Sequence, residues 1–266
     1  MYDKIIRRSV LIWGQMLITI LVYSQNDTLL YSLLDSVVVT GYDSEQRLKS
    51  VPGAIHVLGP ERLKAFDNER LLTSVNALPG VRFEERSPGS YRLAIRGSTL
   101  RSPFGVRNIK VYWNGIPFTD PTGSTALNLL DNINMQRIEV IKGPAGSVYG
   151  AGTGGALNIE SMGKNGVGDD FSVGVQAGSF GYLKVDAQGQ FGTDDARTLI
   201  RLGRQSSDGY RDHTSFKRWI GEISGSYRLN TQHTLESHLL FSALDYEIPG
   251  GLTKEQYDEE IGRAHV

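Results

Sequence analysis

Residues 137–159 read Arg-Ile-Glu-Val-Ile-Lys-Gly-Pro-Ala-Gly-Ser-Val-Tyr-Gly-Ala-Gly-Thr-Gly-Gly-Ala-Leu-Asn-Ile, and the fold of this chain follows from them. A short apolar strand leads into a glycine-rich turn, and a second strand follows. Gly150, Gly152 and Gly155 match the G-x-G-x-x-G pattern, but that pattern signals a dinucleotide only when a helix comes next. Because a strand comes next, we interpret the glycines as residues that bend the backbone tightly between two strands, with a phosphate site as the alternative.

The neighbouring sequence, residues 51–165, predicts a compact α+β domain. A strand at 51–58 precedes two helical segments, and Pro79-Gly80 ends the second of these. Further strands are predicted at 81–85 and 91–96. Asn114-Gly115 follows an apolar run and is the strongest hairpin signal in the chain, because a type I′ turn requires positive φ at both central positions.

From Phe171 onward the sequence changes to long strands in which apolar and polar residues alternate. The apolar positions are Phe171, Val173, Val175, Ala177, Leu183, Val185, Ala187, Phe191, Ile200, Leu202, Trp219, Ile223, Tyr227, Leu229, Leu235, Leu239 and Phe241. The polar positions include Gln176, Lys184, Asp186, Gln188, Arg218, Glu222, Glu236 and His238. Strands of about ten residues with an apolar outer face are typical of transmembrane barrels. A soluble sandwich, with the apolar face turned inward, is the alternative.

The connections between these strands differ in length on the two sides of the predicted sheet. Short turns are predicted at 193–195 and 230–232, and a longer connection at 205–214 lies on the opposite side, where 178–181 is also short. Short periplasmic turns and longer outer loops are what outer-membrane barrels have.

Three consecutive valines, Val37, Val38 and Val39, favour an extended backbone near the start of the chain. Their neighbours are polar and offer no adjacent apolar sequence to pack on. We therefore predict a free segment that awaits a strand partner, with an edge strand of the chain's own sheet as the alternative. Adding such a strand to a partner supplies affinity through backbone hydrogen bonds.

Taken together, these segments resemble the TonB-dependent outer-membrane receptors. The resemblance rests on residues 137–159, on Ile95-Arg96-Gly97 and on the hairpin at 112–117. It implies an α+β plug domain at 51–165, followed at 170–259 by the first antiparallel strands of a transmembrane β-barrel. It also implies a TonB box, the segment that binds the energy-coupling protein TonB, made of Asp35, Ser36, Val37, Val38, Val39, Thr40 and Gly41.

The resemblance also implies a latch between plug and barrel. In the family, the arginine of the Ile-Arg-Gly motif and a basic residue near the end of the plug pair with barrel glutamates. Arg96 and Lys142 stand at these two positions, and solvated side chains are the alternative. Lys142 keeps the charge but lacks the two-pronged geometry of arginine, so we expect a looser latch there.

The N-terminus and the composition predict an exported protein. Basic residues precede a thirteen-residue, largely apolar run at 10–22, which is too short for a spanning helix of about 20 residues. Residues 1–24 are therefore predicted to be a signal peptide, with a single anchoring helix as the alternative, and 25–50 a periplasmic lead. The chain has no cysteine, and its 28 basic and 29 acidic residues give a net charge of -1, so neither disulfides nor binding of nucleic acid is expected.

We expect the chain to be a fragment of a longer protein. Five strands cannot close a barrel, and plugged outer-membrane transporters use about 22. Residues 260–266 resemble the translation of a sequencing-library adapter and are not expected to form part of the fold.

The predicted function is import rather than catalysis. No nucleophile, base and orienting group stand in a catalytic pattern, so no enzyme activity, cofactor or metal site is expected. The resemblance implies a monomeric barrel in the lipid of the cell outer membrane that imports a ferric-siderophore or ferric-citrate-like chelate with energy from TonB. In the apical stretch 99–107, Arg101, Ser102, Phe104 and Arg107 are predicted ligand contacts, with a solvated loop as the alternative. The rival function is a secreted, non-transport β-rich binding protein or adhesin.

Overall fold

The computed structural model describes residues 37–43, 45–65, 71–98, 105–143, 146–152, 154–163, 168–251 and 254–255. The predicted signal peptide, Asp35 and Ser36 of the predicted TonB box, and Arg101, Ser102 and Phe104 of the predicted ligand contacts lie outside these residues. No helix in the described part of the chain combines the length and the apolarity that crossing a membrane would require.

The described residues form strands and short helices in an α+β arrangement. The strands are β1 (Val38–Val39), β2 (Gln46–Arg47), β3 (Ala54–Leu58), β4 (Val81–Ser87), β5 (Ser90–Ile95), β6 (Ile109–Trp113), β7 (Ile116–Pro117), β8 (Arg137–Lys142), β9 (Gly155–Glu160), β10 (Asp170–Ala177), β11 (Leu183–Gly192), β12 (Ala196–Ser207), β13 (Phe216–Arg228) and β14 (Thr234–Tyr246). The helices are α1 (Pro60–Ala65), α2 (Leu71–Asn76) and α3 (Gly146–Tyr149). Single 3-10 turns occur at Gly41–Asp43, Leu48–Ser50, Leu127–Leu129 and Asn132–Asn134.

A five-stranded mixed sheet organises the first domain, in the order β3-β8-β9-β6-β7. Strands β6 and β9 run parallel, and the other neighbours are antiparallel. One face of this sheet packs on α1, α2 and the β4–β5 hairpin through a large apolar core. The opposite face holds a smaller cluster formed by Val39, Ile55, Ile141, Tyr149 and Ala156. Strand β8 is thus buried on both faces, which explains its nearly continuous apolar sequence.

Two turn predictions are confirmed. Asn114 and Gly115 have φ values of 49° and 77°, so the turn between β6 and β7 has the positive φ values predicted for type I′. The glycine-rich turn leads into strand β9, as predicted, although the single helical turn α3 was not foreseen. Gly155 has φ +127°, and a Cβ there would overlap the carbonyl oxygen of Ile141. Only glycine allows the two strands to approach so closely.

Some predicted boundaries were wrong. The first predicted strand begins at Ala54 rather than at residue 51, because Pro52 lacks a backbone donor and lies in a bend. Strand β4 extends to Ser87, and β5 covers Ser90–Ile95. Arg96 therefore lies in the turn after β5, with φ +50°.

The second sheet is an antiparallel meander of β10 to β14 in chain order. The predicted alternation is confirmed: Phe171 is 69% exposed and Leu239 is 64% exposed on one face, whereas Lys184, Arg218 and Glu222 are buried on the other. The apolar side chains form an exposed band, which a lipid environment would cover. The turn between β11 and β12 is short, and the connection between β12 and β13 on the other side is longer.

The prediction that the valine segment is free is wrong for its described part. Val38 and Val39 pair antiparallel with Arg47 and Gln46, and Val39 is fully buried. The apolar surface that covers Val39 comes from strands far away in sequence. The local sequence could therefore not reveal it. Whether this segment is a TonB box stays a prediction.

Candidate functional site

A cavity of about 570 Å³ lies between the β4–β5 hairpin and the connections at 178–182 and 208–215, which we call the outer loops. The hairpin turns at Pro88-Gly89, where Gly89 has φ +76°. A Cβ at Gly89 would lie 3.0 Å from Leu244, so the tip of the hairpin rests on β14. The pairing register of the hairpin shifts between Glu85 and Ser87, in the part of β4 that lines the cavity.

The cavity wall combines aromatic rings and charged groups. Its lining includes Phe83, Tyr91, Phe180, Tyr182, Tyr210 and Phe216 together with Glu85, Arg86, Asp131, Arg211 and Arg218. Burial raises the pKa of the Tyr91 hydroxyl, and Arg218 partly offsets that rise. The three arginines outnumber the two carboxylates, so the charged groups of the described lining sum to +1.

Asp131 joins the first domain to the second sheet. Its carboxylate is buried and lies 3.1 Å from Lys184 Nζ and 3.6 Å from Arg218 Nη1. Lys184 belongs to β11 and Arg218 to β13. One carboxylate from the first domain therefore bridges two strands of the second sheet, β10 to β14, which we call the wall. Removing one partner of such a buried group leaves the others unpaired, which is strongly destabilising.

A second junction lies deeper between the domain and the wall. Arg201 and Glu222 form a fully buried ion pair of 3.1 Å, and Arg201 also donates to the carbonyl oxygen of Ser161 at 3.3 Å. The Nδ2 atom of Asn114 lies 3.2 Å from Nδ1 of His238 on β14, and its Oδ1 atom accepts a hydrogen bond from the Ser161 backbone N–H at 2.8 Å. The hairpin turn and the end of β9 are thereby seated against β12 and β14.

The predicted latch residues lie close together in the structure. A Cβ on Gly143, which follows Lys142, would lie 3.4 Å from Arg96 Nη1. Lys142 is buried and donates to the carbonyl oxygen of Pro79. Burial lowers the pKa of Lys142, and the charge of Arg96 lowers it further. Pairing of either residue with a barrel glutamate stays a prediction.

The predicted box segment is held by a buried carboxylate. Glu139 on β8 is fully buried and accepts hydrogen bonds from the backbone N–H of Thr40 at 3.1 and 3.2 Å and from its hydroxyl at 3.2 Å. Arg137 forms an ion pair with Glu139 at 2.7 Å and also donates to the carbonyl oxygen of Val38. Glu139 and Arg137 thus hold the segment at two points, Thr40 and Val38.

The predicted ligand contacts are only partly described. Arg107 is exposed, and it is not among the residues that line the cavity. Val106 beside it is buried and pairs with Thr125. Arg101, Ser102 and Phe104 lie outside the described residues, so their role stays a prediction.

Sequence reasoning missed Asp131 and Glu139 as functional candidates. Glu139 had a local signal, because a charged residue between Ile138 and Val140 interrupts an otherwise apolar strand. Asp131 had no such signal. The inward positions of its partners, Lys184 and Arg218, were predicted from the alternation of the strands, but the partner itself was not.

Comparison with known proteins agrees with this geometry. The family model of the TonB-dependent receptor plug domain matches residues 47–157. The chain is 28% identical over 217 residues to the vitamin B12 transporter BtuB of Vibrio vulnificus, covering 80% of this chain and 33% of that protein. Residues 47–157 therefore belong to the plug-domain family of TonB-dependent receptors, and the chain as a whole is similar to such receptors. It is also 24% identical over 238 residues to the hemin receptor of Yersinia enterocolitica, and this match covers 82% of this chain and 33% of that protein. The chain therefore spans about a third of the length of either relative.

The fold of the receptor is also that of solved structures. The pyoverdine outer membrane receptor FpvA of Pseudomonas aeruginosa superposes with a TM-score of 0.64 at 18% identity, covering 80% of this chain and 31% of that one. The predicted fold class, a plug domain followed by antiparallel strands of an incomplete barrel, is confirmed, and the receptor is an outer-membrane protein. Its relatives are transporters and receptors, in agreement with the prediction that it is not an enzyme.

Proposed function

We propose that the whole receptor imports a ferric chelate of the siderophore or citrate type across the outer membrane, with energy from TonB. The observation that carries this proposal is the cavity of about 570 Å³ between the plug hairpin and the outer loops. Its volume is within the usual range of about 300–1,000 Å³ for small-molecule sites. Ligand that enters from outside would meet the plug at this point.

The charge of the cavity favours an anionic ligand. Arg86, Arg211 and Arg218 line it against Glu85 and Asp131, and arginine is suited to carboxylate and other anionic oxygens. Relatives of this receptor are named for vitamin B12, for hemin and for catecholate siderophores. A ferric chelate with anionic oxygens fits the cavity's charge better than an uncharged ligand does.

The second part of the proposal assigns residues 35–41 to the TonB box. In the described state Val39 is buried and β1 pairs with β2, so a partner strand must displace contacts that the plug makes. Because the backbone N–H of Thr40 donates to Glu139 on strand β8 of the plug sheet, a pull on the box would act directly on that sheet. If TonB adds a strand to the box, the backbone hydrogen bonds between them can transmit that pull.

The experiment that tests this function uses the full-length receptor in cells and Val38→Pro as the variant. Proline removes the backbone donor and resists strand pairing, so uptake of ⁵⁵Fe-labelled ferric chelate should fall to the level of cells without TonB. Val38→Ala is the matched control, because it keeps the backbone donor and should retain uptake.

Binding and uptake must be measured separately. Equilibrium binding of the same probe to Val38→Pro cells should stay within about twofold of wild type, because Val38 does not line the cavity. Uptake that persists in Val38→Pro would contradict the box assignment. Uptake of hemin or cyanocobalamin in place of ferric chelates would contradict the proposed ligand class.

A further inference from the structure

The outer loops present an aromatic pair to the cavity. Phe180 lies on the first of these loops and Tyr210 on the second, and both side chains line the cavity. Their ring centroids lie 6.4 Å apart in an edge-to-face arrangement. The guanidinium carbon of Arg211 lies 5.4 Å from the centroid of the Tyr210 ring, so a cation is placed beside the aromatic surface.

The aromatic pair is held in position by its loops. Phe180 has φ +58°, an unfavourable conformation for a bulky residue, and such outliers are concentrated at functional sites. The carbonyl oxygen of Phe180 accepts the Asp208 backbone N–H at 2.9 Å and the Ser207 hydroxyl at 3.2 Å. These bonds tie the two outer loops together. The pair is therefore organised before any ligand arrives.

Arg218 is an incompletely paired cation at the inner end of the cavity. It is 5% exposed, and its distances to Gln205 Oε1 and Asp131 Oδ1 are 3.4 and 3.6 Å. Charge-assisted bonds are usually shorter, about 2.7–2.9 Å. Tyr91 supplies a further contact, but the Nε atoms of Arg218 and Arg211 are both buried and have no hydrogen-bond partner. Buried guanidinium groups with unused donors are costly.

We propose that this part of the cavity is a subsite for an aromatic ring that carries deprotonated oxygens. The ring packs against Phe180 and Tyr210, and its anionic oxygens accept hydrogen bonds from Arg211 and, after a small shift of the side chain, from Arg218. The inference rests on the proposed function, since it names the ligand class for the same cavity. A non-aromatic chelate would satisfy the arginines but leave the aromatic pair uncovered.

The test measures binding to the purified full-length receptor by isothermal titration calorimetry with two probes. Ferric tris(2,3-dihydroxybenzoate) is anionic and aromatic, whereas ferric citrate is anionic without a ring. Arg211→Gln should weaken both probes about 10- to 100-fold, the effect of losing a charged hydrogen bond. Tyr210→Leu keeps apolar volume but removes the ring, so it should weaken only the aromatic probe, about 3- to 10-fold.

Matched variants separate recognition from damage to the fold. Arg204→Gln removes an equally charged side chain that is exposed and lies over Trp219, 5.0 Å from its ring centroid and away from the cavity, and should leave both affinities unchanged. Arg218→Gln repeats the charge test at the inner end, and the melting temperature of each variant reports folding. Unchanged affinity in Arg211→Gln and Arg218→Gln overturns the proposal.

Other outcomes also decide between the subsite proposal and the import proposal. Equal weakening of both probes by Tyr210→Leu overturns ring recognition, and failure of the wild-type receptor to bind the aromatic probe overturns the ligand class. The import proposal fails separately. If the probe affinities of the arginine and tyrosine variants change as expected but Val38→Pro leaves uptake unchanged, the subsite proposal is supported and TonB-driven import is contradicted. If Val38→Pro abolishes uptake but the arginine and tyrosine variants bind both probes as the wild type does, import is supported and the subsite proposal is contradicted.

Discussion

Replacing Glu139 by Gln is expected to loosen the predicted TonB box. The Glu139 carboxylate is fully buried, accepts the Thr40 backbone N–H and hydroxyl, and pairs with Arg137. Glutamine has nearly the same shape but no charge. It keeps one acceptor oxygen and turns an amide N–H₂ group toward donors that need an acceptor.

The size of the effect follows from these contacts. Hydrogen bonds to charged groups contribute about 1.5–3 kcal/mol and neutral ones about 0.5–1.5 kcal/mol. Because Arg137 is partly exposed, solvent screens the contribution of its ion pair with Glu139. The free energy of docking of the box should therefore fall by about 1–3 kcal/mol. This loss corresponds to a shift of roughly 5- to 150-fold in the docking equilibrium. Buried Val39 still contributes about 1.5–3 kcal/mol. The segment should therefore open more often without being released entirely.

Hydrogen–deuterium exchange of the full-length receptor measures this opening directly. Exchange in the peptide that covers residues 37–43 should become about 5- to 150-fold faster in Glu139→Gln. Glu84→Gln is the matched control, because Glu84 lies on β4 in ion pairs that are partly exposed. Exchange within twofold of wild type in Glu139→Gln would refute the reasoning, and so would equal acceleration in the control.

Three further perturbations test other parts of the structure. Asp131→Asn should lower the stability of the plug against the wall by about 3–5 kcal/mol, because two buried cations lose their shared partner, whereas Asp195→Asn at an exposed ion pair should cost less than about 1 kcal/mol; calorimetric unfolding that ranks them equally would contradict this. Gly155→Ala should cost about 2–6 kcal/mol from overlap and strain and Gly150→Ala, where a Cβ meets open space, only about 1–2 kcal/mol, as measured by denaturant titration; similar costs would remove the close-approach argument. Burial, followed by two nearby cations, lowers the pKa of His56 below its ordinary value of 6.5, so the unfolded chain takes up the proton first and stability should fall as the pH drops below about 6.5; His56→Gln should flatten that fall, and an unchanged pH profile would exclude the linkage.

Much of the fold could be predicted from local sequence. Positive φ at Asn114 and Gly115 depends on residues that tolerate it, and the outward face of β10 to β14 depends on alternation with a period of two. Neither property requires knowledge of a distant partner. The polar inward face, including Lys184 and Arg218, was predicted for the same reason.

The candidate site was less predictable, because it is assembled from separated segments. The sequence pointed to residues 99–107 as ligand contacts, and because 99–104 lie outside the described residues that assignment stays a prediction. It did not point to the β4–β5 hairpin or the outer loops, which line the described part of the cavity. Which loop tip reaches the cavity depends on how the plug is seated in the wall. Asp131 and Arg201 define that seating through contacts between the plug domain and the second sheet.

The amino-acid sequence by itself determined the two-part organisation, the glycine turn and the alternation of the wall, because these depend on backbone conformation and on side-chain period over a few residues. Only the tertiary structure decided that the valine segment is docked and that Glu139 holds Thr40, two residues 99 positions apart. The physical reason is that burial and hydrogen bonding between distant segments depend on packing geometry. A polar flank that looks solvated in the sequence can therefore lie beside a buried carboxylate in the folded chain.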